Sequence, residues 1–205
     1  MGIDIHTQAG FESSRGFRDA FSKMLGDVPA RAYDLTTILT FKWIDTVLGP
    51  MVAIGDDEML YLLEFVTRKG LEREVGRLRQ RGFAITPGDS WSLQSIESEL
   101  AAYFGGQLTH FQTPYSVFGS DFQQQVWSAL CQIPYGETRS YRDQAFSIHK
   151  PTAYRAVANA NGANQLALII PCHRIISSDG SLGGYGGGIA VKQWLLEHEQ
   201  RHKLK

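Results

Sequence analysis

The sequence predicts an α+β protein, in which a small sheet-plus-helix domain is followed by a mostly helical domain containing a helix-turn-helix. Three features point there. Short apolar runs of period two, divided by Asp, Gly and Pro, fill Thr36 to Val66 and read as strands. From Ser120 the apolar residues recur at helical spacing, and two of the helices are short and tightly joined. Between these regions Gly106 to Gly119 contains Gly and Pro and few periodic apolar residues, which sets the domain break there. Residues 1–35 then form an N-terminal helical segment, 36–112 the first domain and 113–205 the second.

Residues 9–29 read as one helix, capped by Ser13 or Ser14, with Phe17, Phe21 and Leu25 at four-residue spacing and Gly26 and Pro29 as its stop. The runs TILTFKWI, MVAIGDD and EMLYLLEFV form an antiparallel meander of three strands. Glu72 to Gln80 is a helix with Leu71, Val75 and Leu78 on one side, and Ile96, Leu100 and Tyr103 mark another that stops at Gly105 and Gly106. In the second domain FQQQVWSALCQI is a helix ended by Pro134-Tyr135-Gly136, and SYRDQAFSIHK and PTAYRAVANANGAN follow it. Pro151 suits the opening of the latter and Gly162 its end. Leu166 to Ile170 read as a short buried strand closed by Pro171, and the last helix runs from Ile189 to His202.

Composition narrows the function classes. A chain of 205 residues, 43% hydrophobic, can bury a core without staples. Its two cysteines, Cys131 and Cys172, allow neither a disulfide framework nor a four-cysteine zinc site. No run of 18 apolar residues and no signal-peptide pattern occurs, so the chain reads as soluble, without a membrane partner, and cytoplasmic. Net charge is -1, but residues 1–119 carry 11 basic and 15 acidic side chains and residues 120–205 carry 9 and 6. A polyanion would therefore meet the C-terminal half.

The chemistry concentrates at Cys172. A thiolate, not a thiol, is the nucleophile, so this cysteine needs a base and a positive surrounding. His173 and Arg174 follow it directly, and Glu197 or Glu199 on the last helix could orient the base. An inert buried thiol is the commoner fate of a lone cysteine, but the neighbours here are Pro, His and Arg. Cys131, inside the apolar stretch of a helix, suits the inert description. In the helix around Arg155, Ala156, Val157, Ala158 and Ala160 leave a face of small residues carrying one long cation, which lets a helix approach a nucleic-acid backbone closely.

Several motifs occur in order: FQQQVWSAL, IPYGETRSY, RAVANANGANQLA, IPCHRII, SLGGYGGG and KQWLLEHE. Together they resemble the O6-alkylguanine-DNA alkyltransferases, the methylated-DNA-protein-cysteine methyltransferases, over roughly residues 36–202. The N-terminal segment, with its spaced aromatics and terminal Gly and Pro, is similar to half of an AraC-type helix-turn-helix, as in the regulator portion that precedes the alkyltransferase in bifunctional Ada proteins. The resemblance implies a ribonuclease H-like first domain, no cofactor, a monomer, and a partner that is double-stranded DNA containing alkylated guanine. The implied reaction is a single irreversible transfer of the alkyl group from guanine O6, and from thymine O4, to Cys172.

Site roles follow from the same resemblance. His173 takes the thiol proton through a water, Glu199 orients His173, and Asn164 braces the active-site turn. Tyr141 moves the target phosphate and donates to the leaving guanine, while Arg155 fills the hole left by the flipped nucleotide. Tyr185 lies along the flipped base, and backbone around Cys172, Ile175 and Gly186 reads its edge. Arg142, Lys150 and Ser178 touch the DNA backbone, with Ala156 and Ala158 on the approaching helix. Two features depart from this reading and two alternatives compete with it. His149 stands where the family usually has glycine, and small residues at Ala167, Gly183 and Gly186 to Gly188 predict a pocket roomy enough for alkyl groups larger than methyl. His198-Glu199-Gln200-Arg201-His202 is a literal HExxH, the zinc-hydrolase pattern, and a regulator built on residues 1–35 is the other alternative.

Overall fold

The computed structural model of the chain describes residues 37–203. The N-terminal segment, including the helix expected over residues 9–29, lies outside the described residues. The described chain forms two compact units, one of the residues up to Leu100 with Thr113–Tyr115, the other of Ala101–Gln112 with Ser116 onward. The mixture of a small sheet and several helices is the α+β class expected.

In the first unit, β1 (Ile38–Ile44), β2 (Met51–Gly55) and β3 (Leu60–Phe65) form the expected antiparallel meander. Thr40 pairs with Gly55 and Met51 with Phe65. All five residues of β2 are buried, as a central strand requires. A fourth strand, β4 (Ala84–Pro87), was not legible: it joins β1 in parallel, giving the order β3-β2-β1-β4. Four residues ending in proline are too few to show a period, and the proline suits an edge. The crossover is α1 (Leu71–Gln80), which buries Leu71, Val75 and Leu78 as their spacing predicts. Next comes α2 (Trp91–Phe104), whose last turn carries Tyr103 into the second unit.

The second unit is built on α3 (Asp121–Cys131), α4 (Tyr141–Ser147), α5 (Tyr154–Gly162) and α6 (Ile189–His202). Both α3 and α4 begin with reciprocal capping boxes, Ser120 with Gln123 and Ser140 with Asp143, which satisfy otherwise orphaned amides. Trp127 on α3 donates through Nε1 to the Ala160 carbonyl at 2.8 Å. Gln144 on α4 and Asn161 on α5 exchange buried amide hydrogen bonds of 3.2 and 2.7 Å. Gln144 Nε2 also donates to the Val126 carbonyl on α3 at 3.1 Å, so these buried polar contacts tie three helices to one another. Pro151 lies in the turn before α5 and does not open it; the helix starts three residues later. His149 in the same connection adopts φ 59, the left-handed conformation that glycine takes most readily.

The buried strand expected at Leu166 to Ile170 is not formed. These residues, all buried except the half-buried Ile169, run through consecutive turns, with Leu168 at φ 72. The reason is Asn164. Its Nδ2 donates to the Ile170 carbonyl at 2.8 Å and reaches the Leu166 carbonyl at 3.4 Å, and its Oδ1 accepts from the Leu166 amide at 3.0 Å. A side-chain amide thus satisfies backbone groups that a ladder would otherwise have to pair. A two-stranded parallel pair, β5 (Arg139–Ser140) with β6 (Ile175–Ile176), leads into α4 on one side and out of the Cys172 turn on the other.

Candidate active site

Cys172 opens a single 3-10 turn, Cys172–Arg174, immediately after Pro171. The turn matters because on an extended chain neighbouring side chains point to opposite faces. The Cys172 amide is held by the Ile170 carbonyl at 2.8 Å, and its Sγ accepts from Asn164 Nδ2 at 3.3 Å. The asparagine that shapes the preceding turns therefore also touches the sulfur. Cys172 itself is partly exposed, unlike the residues behind it.

His173 is fully buried, and its Nε2 lies 2.8 Å from Glu199 Oε1. That carboxylate accepts five hydrogen bonds. Oε1 also receives the Tyr103 hydroxyl at 2.8 Å and Arg174 Nη2 at 3.0 Å, and Oε2 receives Arg174 Nε and the Gly136 amide, each at 2.9 Å. Burial pushes the Glu199 carboxyl up, but the hydrogen bonds and charges of His173 and Arg174 outweigh it and hold it well below the usual carboxylate range. An ionised carboxylate can only accept, so Nε2 carries the proton of a neutral His173 and Nδ1 carries the lone pair. Burial keeps the imidazole neutral by lowering its pKa, with the Glu199 contact acting in the opposite direction. His173 Nδ1 is buried and, among the described residues, has no hydrogen-bond partner.

Of the two acidic candidates on α6, only Glu199 takes this part. Glu197 instead accepts from Gln193 at 2.9 Å on the exposed side. Tyr141, at the first position of α4, has its pKa raised by burial and then by negative charge at Cys172. Gly183, at φ 65, faces the Tyr141 ring; a Cβ there would stand 3.4 Å from it and 3.2 Å from Ser177 Oγ. Tyr185 meets His173 edge-on at 6.4 Å between ring centroids.

The remaining expected residues line the surface of the same unit. Arg142 and Ser178 share a shallow cleft of about 390 Å3 with Arg139, Ser140, Ile176 and Gly180. Lys150 sits over the Phe122 ring at 5.0 Å, and Arg155 and Ala156 are exposed on the first turn of α5 with Ala158 half-buried behind them. Gly186 is exposed and Ile175 buried. A wider groove of about 930 Å3 along α3 and α4 is lined by neither Cys172 nor Tyr185, and so is separate from the cysteine.

Three participants were not foreseen. Lys192 on α6 is fully buried and donates to the carbonyls of Ile175 and Leu182, with Gly184 O at 3.5 Å. Burial lowers its pKa to about 8, opposed by the charge of Cys172. Its signal was available: Lys192, Leu195 and Glu199 fall at i, i+3 and i+7, so two charged residues occupy the core stripe of one helix. Tyr103 and the Gly136 amide, 96 and 63 residues from Glu199, left no local signal.

The comparisons with known proteins agree with this geometry. Residues 121–201 match the family model described as 6-O-methylguanine DNA methyltransferase, DNA binding domain. The methylated-DNA–protein-cysteine methyltransferase of Methanosarcina barkeri is 41% identical over 160 residues, 78% of this chain and 96% of that protein. The chain belongs to the methylated-DNA–protein-cysteine methyltransferases. The Mycobacterium bovis member is 43% identical over 163 residues, 80% of this chain and 93% of its own. Among solved structures, Mycobacterium tuberculosis OGT in complex with DNA superposes with a TM-score of 0.69 at 40% identity, covering 80% of this chain and 94% of that one.

For a methyltransferase of this family, the HExxH reading does not hold. His198 is buried with Nε2 on the Tyr103 carbonyl at 2.8 Å, His202 Nδ1 is on the His198 carbonyl at 2.9 Å, and Glu199 is taken up by five donors. Among the described residues no group of three or more His, Cys, Asp or Glu could hold a metal ion. The pattern arises because α6 needs each of these side chains for a separate structural contact. Cys131 also differs from expectation: as the last residue of α3 it is exposed. Among the described residues no helix is long and apolar enough to cross a membrane.

Proposed function

We propose that the protein repairs alkylated DNA by transferring the alkyl group from guanine O6, and from thymine O4, to Cys172 in a single irreversible step. The observation that carries this reading is one arrangement: Cys172 on a tight turn, with the unpartnered Nδ1 of a neutral His173 behind it and Glu199 fixing the opposite nitrogen. His173 accepts the thiol proton, through a water or directly. The S–C bond forms as the C–O bond breaks, and the electron pair leaves on guanine, which takes up a proton with Tyr141 as the nearby donor. Nothing removes the alkyl group afterwards, so each chain reacts once.

The DNA-facing part of the reading uses α4 and α5 as a helix-turn-helix in the minor groove, with Arg142, Lys150 and Ser178 on phosphates and Ala156 and Ala158 permitting close approach. Arg155 replaces the flipped nucleotide, Tyr185 lies along the extruded base, and backbone near Ile175, Gly183 and Gly186 forms the pocket. Residues 36–112 are read as a ribonuclease H-like domain, ahead of a catalytic domain over 113–205, in a monomeric cytoplasmic protein. The test is a duplex carrying O6-methylguanine followed by intact mass spectrometry. One added methyl per chain, absent in Cys172→Ala, is the expected result. An unchanged mass in the parent protein overturns the reading.

A further inference from the structure

α5 opens on Tyr154, a residue 45% exposed, which puts a large aromatic side chain at the tip of a helix rich in small residues. A single exposed aromatic is ordinary on a protein surface. What distinguishes this one is its neighbour: the Arg155 guanidinium lies over the Tyr154 ring, 5.8 Å from its centroid. Ala153, the residue before the helix, provides no side-chain cap. Behind Tyr154 and Arg155 come Ala156, Val157 and Ala158, too short to keep a partner surface away. The aromatic ring and the guanidinium are therefore the groups on this turn that reach farthest.

We propose that Tyr154 is a second positioning residue for nucleotide extrusion, stacking on the base beside the lesion while Arg155 occupies the vacated space. This rests on the DNA-repair reading above and assigns a role to a residue outside it. Extrusion exposes faces of the neighbouring bases that had been stacked. Every base has a π-face, so an aromatic ring can cover one without regard to sequence. The same ring holds the guanidinium through cation–π contact before DNA arrives, reducing the rotamer freedom that Arg155 loses on insertion. Tyr154 touches no reacting atom. Its effect is on how often the alkylated base is presented to Cys172.

The experiment compares the parent protein with Tyr154→Ala and Tyr154→Phe on two substrates. One is a duplex carrying O6-methylguanine with 2-aminopurine as its 3′ neighbour; the other is the same oligonucleotide single-stranded. Transfer is timed by intact mass, and 2-aminopurine emission reports whether the neighbouring base is stacked. Tyr154→Ala is expected to slow transfer from the duplex about tenfold, the scale of one lost base–aromatic stack. It should leave the single-strand rate unchanged and brighten the 2-aminopurine in the complex. Tyr154→Phe, which keeps the ring, should match the parent. Equal duplex rates for Tyr154→Ala and the parent, or equal loss on both substrates, overturns the role assigned to Tyr154. Failure of the parent to gain a methyl group instead overturns the repair reading itself.

Discussion

At the scale of single residues, Glu199 determines the state of the site. Five donors converge on one carboxylate, and two of them belong to the buried Arg174, which also donates to the Ile133 carbonyl at 2.6 Å. Replacing Glu199 by Gln keeps the volume but leaves Arg174 as a buried charge without its counter-ion, a change that costs about 3–5 kcal/mol in comparable buried pairs. It also turns one hydrogen-bond donor of the new amide toward existing donors, so the tautomer of His173 is no longer dictated. Methyl transfer by Glu199→Gln should fall about 100-fold, the lower end of what a positioned base contributes, measured on the fraction shown by circular dichroism to be folded. The pH dependence has a definite sign. A carboxyl held low in the folded state adds stability above its unfolded pKa, about 4.3, and loses it as the pH falls further. The difference in melting temperature between the parent and Glu199→Gln should therefore be widest at neutral pH and narrow as the pH drops below about 4.

At the scale of elements, α4 shows how a local signal positions a remote function. Ser140 accepts from the Asp143 amide at 3.1 Å, and Asp143 Oδ2 accepts from the Ser140 amide at 2.9 Å, which fixes Tyr141 as the first helical residue. Ser140→Ala should lower stability by about 1 kcal/mol in denaturant titration. It should also slow transfer from duplex DNA by more than that loss of folded protein explains, because the backbone under Tyr141 frays. The helices whose apolar residues repeat cleanly were legible in the sequence; α6 begins and ends where Ile189 and His202 predict. The segment after Asn164 was not. An apolar run of five residues has no period to separate strand from turn, and the deciding partner was a side-chain amide whose role depends on three dimensions. Cys172, His173 and Glu199 could be read because they are chemically conspicuous. Tyr103 and Gly136 act through contacts made only after folding, whereas Lys192 was readable from its place on the core stripe of α6 beside Leu195 and Glu199.

For the whole molecule, the two units respond to pH in opposite directions. In the first unit Glu64 and Arg68 form a buried ion pair, each with 6% of its side chain exposed. Burial raises the Glu64 pKa to about 8, and Arg68 pulls it back only in part. With a folded pKa above the unfolded value of about 4.3, the folded state binds more protons than the unfolded one between these two values, and stability falls as the pH rises through that window. Glu199 in the second unit has the reverse sign. Glu64→Gln mimics the protonated form, so the melting temperature of the parent relative to Glu64→Gln should decline steadily from pH 5 to pH 8, a range in which the Glu199→Gln comparison stays flat. Hydrogen exchange followed peptide by peptide, corrected for intrinsic rate, should assign the loss of protection at high pH to β1–β4 and α1, and the loss at low pH to α6 and the Cys172 turn. A uniform decline across both units would mean that neither carboxyl controls its own unit, and would overturn the assignment of these opposing ionisations to Glu64 and Glu199.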